Sequence, residues 1–426
     1  MESSREALRD RLPSSRRRSE AQFDEVGRRL GAIERRLSSL EGQHLEGSRF
    51  YLVAEPGFPN YGDELIAREW VRYLAQLRPE VPVTLDCAKP GNAASILMGL
   101  HPRLAVVDTV SAVAKERESW DLSEMGGVRA LASWVRDTLE LRGNPYYAYA
   151  ASLLARRTRA VHYLGGGYLN GEWLDNLARI ELGSWMAERG VPVLATGLGL
   201  VPLEPGSDTA GYVREVLAKF RAVGVRDVRS GEALAGLANV TVMPDDCFVN
   251  GLEGVASAEE RLPRTMVCMQ VEFGVDGNLA FRHVERILEV WGVRPGGEEV
   301  GVVECNPLAD RGVYDYLVGR GYACRFFPTL YLLEQGLPVC EGQRWVSSRY
   351  HPHLVAAALG CSGCFVPINR EYYGVKHEAV LRMGSRWNAA PMGEEPPQPG
   401  EGFADAGARL AYRDQIRAFA SVLYGL

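Results

Sequence analysis

From residue 49 onward the chain alternates short apolar runs with longer amphipathic stretches, and this alternation restricts the fold more than any other feature. Runs at 49–54, 83–87, 105–107, 161–164, 193–196, 222–225 and 240–243 are too short for helices and read as strands. Helical patterns lie between them, for example at 64–77 and 174–188. Strand and helix in turn at this spacing imply parallel α/β layers. A polar stretch at 250–263 reads as a linker, and a second series follows with strands at 266–271, 300–305, 323–326, 345–347 and 364–368. The simplest architecture is therefore two Rossmann-like domains facing a cleft, since ligands bind at the carboxyl ends of such strands. The expected division is an N-terminal extension at 1–46, a first domain at 47–249, the linker, a second domain at 264–395, and a loop and helix at 396–426. Residues 390–402, which span the boundary into that last part, are too rich in Pro, Gly and Glu for a helix or central strand.

The extension carries Phe23, Val26, Leu30, Ile33, Leu37 and Leu40 at alternating spacings of three and four. That is a heptad seam, read equally as a helix docked on its own domain or as a coiled-coil handle for a homo-oligomer. No run approaches the roughly 18–20 apolar residues of a membrane span, and residues 1–20 lack an apolar signal core, so a cytoplasmic protein is expected. A net charge of −6 gives no reason to expect nucleic acid as a partner. Only Cys361 and Cys364 among the eight cysteines are closely spaced, with no second pair to complete a zinc site; reduced, structural cysteines and no metal are expected.

Polar and glycine-rich turns follow several strands, where α/β sheets place their sites. Asn60-Tyr61-Gly62-Asp63 follows the first, and Asn60 and Asp63 suit either a helix cap or a cleft-facing acid, base or hydroxyl-binding pair. Gly165-Gly166-Gly167 follows the fourth and lets backbone approach a ligand and aim N–H groups at an anion. It fits neither the dinucleotide nor the P-loop spacing. Arg226-Asp227-Val228-Arg229-Ser230 suits an anionic ligand, although arginine supplies all but four of the 48 basic residues and surface pairing competes. Met243-Pro244-Asp245-Asp246 reads as a turn. The densest cluster is Ser347-Ser348-Arg349-Tyr350-His351-Pro352-His353; one of its histidines suits proton transfer near neutrality and the other reads as structural. Tyr372-Tyr373-Gly374-Val375-Lys376 supplies the last lysine.

This ordered set resembles the polysaccharide pyruvyl transferase family, whose members are similar in fold to GT-B glycosyltransferases. The match runs from about Tyr51 to Lys376, through Asn60-x-Gly62-Asp63, Gly165-Gly166-Gly167-x-Leu169, Arg226-Asp227-x-x-Ser230, the turn ending at Phe248, Arg349-Tyr350-His351 and Tyr373-x-x-Lys376. Departures stand at Asn170, Leu198 and Val201, on the side expected to meet the acceptor. The resemblance implies transfer of the enolpyruvyl unit of phosphoenolpyruvate onto two sugar hydroxyls, giving a pyruvate ketal and phosphate with no cofactor. It assigns Arg226, Arg349, Lys376, Gly166 and Gly167 to the donor, and Asn60, Tyr373 and His353 to the acceptor. His351 is the expected general acid and Asp63 the group acting on an acceptor hydroxyl. A lipid-linked acceptor would bring the protein to a membrane surface. The main rival is a GT-B glycosyltransferase using a nucleotide-sugar; the Arg and His turn in the second domain suits a small, doubly anionic donor better.

Overall fold

The structure, a computed structural model, describes residues 49–117, 126–144, 147, 154, 157–271, 276–307, 309–368 and 373–425. The heptad seam lies outside the described residues. Seven strands form the first sheet: β1 (Arg49–Val53), β2 (Val83–Asp86), β3 (Leu104–Val107), β4 (Thr158–Tyr163), β5 (Val193–Leu198), β6 (Ala222–Val225) and β7 (Val240–Val242). Their order is β3-β2-β1-β4-β5-β6-β7, parallel throughout. In β1, Phe50 and Leu52 enter one core cluster while Tyr51 and Val53 enter another. Burial of both faces is why the strand reads as a continuous apolar run rather than an alternating one.

The second sheet contains β8 (Thr265–Cys268), β9 (Val300–Val303), β10 (Cys324–Phe327), β11 (Arg344–Ser347), β12 (Ser362–Phe365) and β13 (Asn388–Ala389), in the order β10-β9-β8-β11-β12-β13 and again parallel. Strand β8 ends earlier than its apolar run because the Gln270 N–H turns to Ser348 Oγ at 2.9 Å. The pattern at 174–188 forms two short helices, Leu174–Ala178 and Ile180–Ala187, meeting at Arg179. The Arg179 guanidinium is buried there against Glu55, Asn176 and Ser111.

Each sheet reverses its strand order once, between β1 and β4 in the first and between β8 and β11 in the second. Loops leaving neighbouring strands at such a reversal run in opposite directions and open a crevice at the carboxyl ends. The Asn60 and triple-glycine turns leave one crevice, and the Arg349–His351 turn leaves the other. The last helix, Ala408–Tyr424, returns to the first sheet, where the Tyr424 ring meets Phe50 edge-on at 4.8 Å and its hydroxyl lies 2.7 Å from His162 Nδ1. None of the described helices is long and apolar enough to cross a membrane.

Candidate active site

Two helix starts face each other across the cleft. Helix α1 (Tyr61–Leu77) is capped by Asn60, whose Oδ1 accepts the Gly62 N–H at 3.3 Å while its Nδ2 donates to Asp63 at 2.8 Å. The capping and functional readings of this motif are therefore compatible, because the cap fixes the Asp63 carboxylate in the first turn. Helix α2 (Tyr350–Ala358) begins at the opposite switch point and presents His351 in its first turn. The His351 imidazole lies on Gly62, where any Cβ would overlap Nδ1 and Cε1. A backbone bond from the Tyr61 N–H to the Cys305 carbonyl, 2.8 Å, joins the two halves beside this contact.

Between them lies a cavity of about 230 Å³ lined by Asn60, Asp63, Gly167, Arg226, Arg349, His351 and Lys376, all singled out from sequence, together with Gly62, Trp173, Cys305, Asn306, Tyr350 and Pro352. Arg226 follows β6 and donates through Nη1 to Asp245 at 3.1 Å, with its guanidinium 4.6 Å from the Tyr350 ring centroid. It rests on glycine backbone: a Cβ at Gly199 would sit 2.9 Å from its Nε, and one at Gly167 would sit 3.3 Å from Nη2 and 3.7 Å from Lys376 Nζ. Arg349 is gripped through Nε and Nη2 by Asp310, with contacts of 2.6–3.1 Å. Asp310 also accepts the N–H groups of Cys305 and Asn306.

Burial sets the charge states. It raises Asp63 to about 6, against the pull of the His351 and Arg226 charges. Lys376 falls to about 7, through burial first and then repulsion from Arg226. Burial alone would lift Asp245, but His351, with Nε2 at 3.5 Å, and Arg226 hold it well below the usual carboxylate range. Asp245 is thus a buried anion that faces His351 and fixes Arg226, roles that reading it as a turn did not assign. Its neighbour Asp246 is pushed up to about 7 by burial and ties the triple-glycine turn to β5 and α1, accepting from the Gly165 N–H, Thr196 Oγ1 and Trp70 Nε1 at 2.6–2.8 Å.

Two expected contacts, His353 and Gly166, are placed differently. His353 does not reach the cavity; it is buried between Phe365 and Trp387 and hydrogen-bonded to His377 and Ser385. Two residues along a helix turn the side chain by roughly 200°, so His351 in the cleft puts His353 in the core. Gly166 lies behind the lining, and its N–H is spent on the Gly197 carbonyl at 3.3 Å rather than offered to a donor. Its service is close approach, since a Cβ there would sit 3.2 Å from Asp63 Oδ1. Tyr373 begins the helix that carries Lys376, but its side chain lies outside the described residues.

Sequence reasoning gave no site role to Asp245, Asp310, Asn306 and Trp173, and read Gly62 only as part of the Asn60-x-Gly62-Asp63 motif. Asp245 carried a signal as an acid at a strand end; Asp310, a lone acid in a long loop, carried none. Among the described residues, Cys268, Cys305 and Asp310 place ligand atoms within 4.8 Å of one another. Asp310 is already committed to Arg349 and two backbone N–H groups, and burial pushes the Cys268 thiol up, so this donor set does not fit a metal. Cys361 and Cys364 are buried free thiols.

Among solved structures, the chain is similar to a protein described as a UDP-N-acetylglucosamine 2-epimerase from Listeria monocytogenes, at 11% identity and a TM-score of 0.50, covering 89% of this chain and 98% of that one. It is also similar to the UDP-GlcNAc 2-epimerase of Neisseria meningitidis, at 9% identity and a TM-score of 0.46, covering 88% and 92%. At such identities the likeness concerns the fold alone, which is GT-B-like. No curated protein is a significant sequence match. Residues 60–369, well over half the chain and containing nearly the whole cavity lining, match the family described as Polysaccharide pyruvyl transferase. The chain belongs to the polysaccharide pyruvyl transferase family and is a transferase acting in polysaccharide modification.

Proposed function

We propose that the protein transfers the enolpyruvyl unit of phosphoenolpyruvate onto two hydroxyls of a sugar-containing acceptor, forming a pyruvate ketal and releasing phosphate. The observation that carries this reading is the convergence of Arg226, Arg349 and Lys376 on one cavity with His351 and Asp63. A donor bearing a phosphate and a carboxylate needs cations for both ends, and guanidinium groups suit such anions. Both arginines are held by buried carboxylates, so they meet the donor already oriented.

In this reading His351, supported by Asp245, delivers a proton to the methylene carbon, and positive charge develops at the carbon bearing the phosphate. One acceptor hydroxyl adds there, losing its proton towards Asp63. The carbon–oxygen bond to phosphate then breaks with Lys376 beside the leaving group, and the second hydroxyl closes the ketal. Two carbon–oxygen bonds form and one breaks; one hydroxyl proton replaces that given to carbon and the other leaves with phosphate. Asn60 orients Asp63 and lies where an acceptor hydroxyl would arrive. The acceptor is a glycan or other glycosylated molecule, presented from solution or on a lipid carrier.

A thermal-shift panel with phosphoenolpyruvate and UDP-, GDP- and CMP-sugars, run on wild type and Arg349→Ala, tests this by ligand linkage. Stabilisation by phosphoenolpyruvate that disappears in the variant is expected. Stabilisation by a nucleotide-sugar and none by phosphoenolpyruvate would replace the reading with glycosyl transfer. Given donor binding, His351→Ala should abolish turnover while leaving donor stabilisation in place.

A further inference from the structure

The charged groups of the cavity account for an anionic donor but leave one lining residue without a use. Trp173 lines the cavity with 38% of its surface exposed, the one exposed side chain on a lining whose other members are buried or half-buried. Its backbone is fixed on both sides. Asn170 donates to the Gly167 carbonyl at 2.7 Å and accepts the Glu172 N–H at 2.8 Å. The Gly171 N–H reaches the Pro202 carbonyl at 2.7 Å, so close that a Cβ on Gly171 would sit 2.7 Å from the same oxygen. Trp173 itself donates its N–H to the Asn170 carbonyl and accepts from Leu177 as the following helix begins. A partly exposed indole is therefore carried on a fixed backbone beside a cavity that also presents Asn60 and Asp63.

Phosphoenolpyruvate is small and anionic and offers nothing for an indole face to stack on. A pyranose does: its axial C–H groups form an apolar face, while its hydroxyls radiate from the edge. Stacking that face on Trp173 covers the exposed ring and directs the hydroxyl edge along the wall towards Asp63 and Asn60. We propose that Trp173 is the stacking platform for the acceptor's hexopyranose ring, an assignment that rests on the pyruvyl-transfer reading and adds a specificity-determining residue to it. The platform selects a hexopyranose with an unhindered C–H face, and donor binding does not depend on it.

The test uses the full chain labelled with 5-fluorotryptophan, with the Trp173 resonance identified by its loss in Trp173→Phe. Phosphoenolpyruvate is added first, followed by the methyl glycosides of glucose, galactose and mannose in turn. At least one glycoside should move the Trp173 signal saturably. Trp173→Ala should weaken binding of that glycoside by about tenfold, with phosphoenolpyruvate stabilisation unchanged and Trp173→Phe intermediate. Silence of the Trp173 signal to all three glycosides, while phosphoenolpyruvate still stabilises the protein, would overturn the platform and leave the donor reading standing. Movement of that signal by UDP alone would also overturn it, because the ring would then be stacking a base. Failure of phosphoenolpyruvate to stabilise the wild type would count against pyruvyl transfer, whatever the Trp173 signal does.

Discussion

Gly62→Ala perturbs a single contact, that between α1 and His351. A methyl at position 62 would overlap Nδ1 and Cε1 of the imidazole and lie 2.9 Å from its Cγ. The ring is buried, with Asp245 beyond it, so it must retreat by about 1 Å or more, a misplacement that can reduce a catalysed rate by about 100-fold. Overpacking of this kind costs about 1–3 kcal/mol. Against it stands a gain of about 0.5–1 kcal/mol from replacing glycine inside a helix. The net loss is up to about 2.5 kcal/mol, and at about 2–4 °C per kcal/mol for a domain of this size the melting temperature should fall by up to about 10 °C. In a His351→Ala background the methyl fills the space left by the imidazole, and the same substitution should instead raise the melting temperature by about 1–4 °C. Four proteins melted at one scan rate close the cycle. Equal effects of Gly62→Ala in both backgrounds would refute the contact and, with it, the placement of His351 against α1.

Three further outcomes are expected. Asp63 is raised to about 6, so its native state holds a proton more tightly than the unfolded chain, and stability is lost as pH rises through that value. Asp63→Asn should therefore melt above wild type by a margin that grows between pH 4 and pH 7 while turnover collapses; a margin constant with pH would contradict this. Lys376 is lowered to about 7, so binding an anionic donor above that pH must take up a proton. Calorimetry should show phosphoenolpyruvate affinity falling by up to about tenfold per pH unit above 7, with the dependence flattened in Lys376→Gln. His353→Ala removes a buried, stacked ring and should cost about 2–4 kcal/mol with the phosphoenolpyruvate stabilisation retained, whereas loss of donor binding alone would return His353 to the cleft.

The elements were legible because both sheets are buried on both faces. Tyr51 and Val53 are as apolar as Phe50 and Leu52, so strands stand out as unbroken runs between amphipathic helices. The site was legible wherever its residues sit at strand ends, as Asn60, Asp63, Arg226 and Arg349 do. Long-range pairings were not legible. Arg226 is anchored by Asp245, 19 residues away, and Arg349 by Asp310, 39 residues away; Asp245 stands out only as an acid at a strand end and Asp310 not at all, and neither pairing has a local signature. The two histidines of the Arg349–His353 turn were legible in principle, since helical periodicity places residues two apart on opposite sides.

Those two pairings also decide what kind of donor the cavity suits. An arginine that reaches into solvent must be desolvated and ordered when its ligand arrives, which reduces both affinity and rate. Arg226 and Arg349 have met that cost during folding, each against a buried carboxylate and in one case against an aromatic face. Their fixed carboxylates offset much of their positive charge, so the site does not concentrate anions indiscriminately. Discrimination passes to geometry, and two oriented guanidinium groups on opposite halves of the cleft favour a ligand carrying an anion at each end. A ligand held by both would therefore bridge the two halves, because Arg226 follows a strand of the first sheet and Arg349 one of the second, with the Tyr61–Cys305 backbone bond spanning the seam between them.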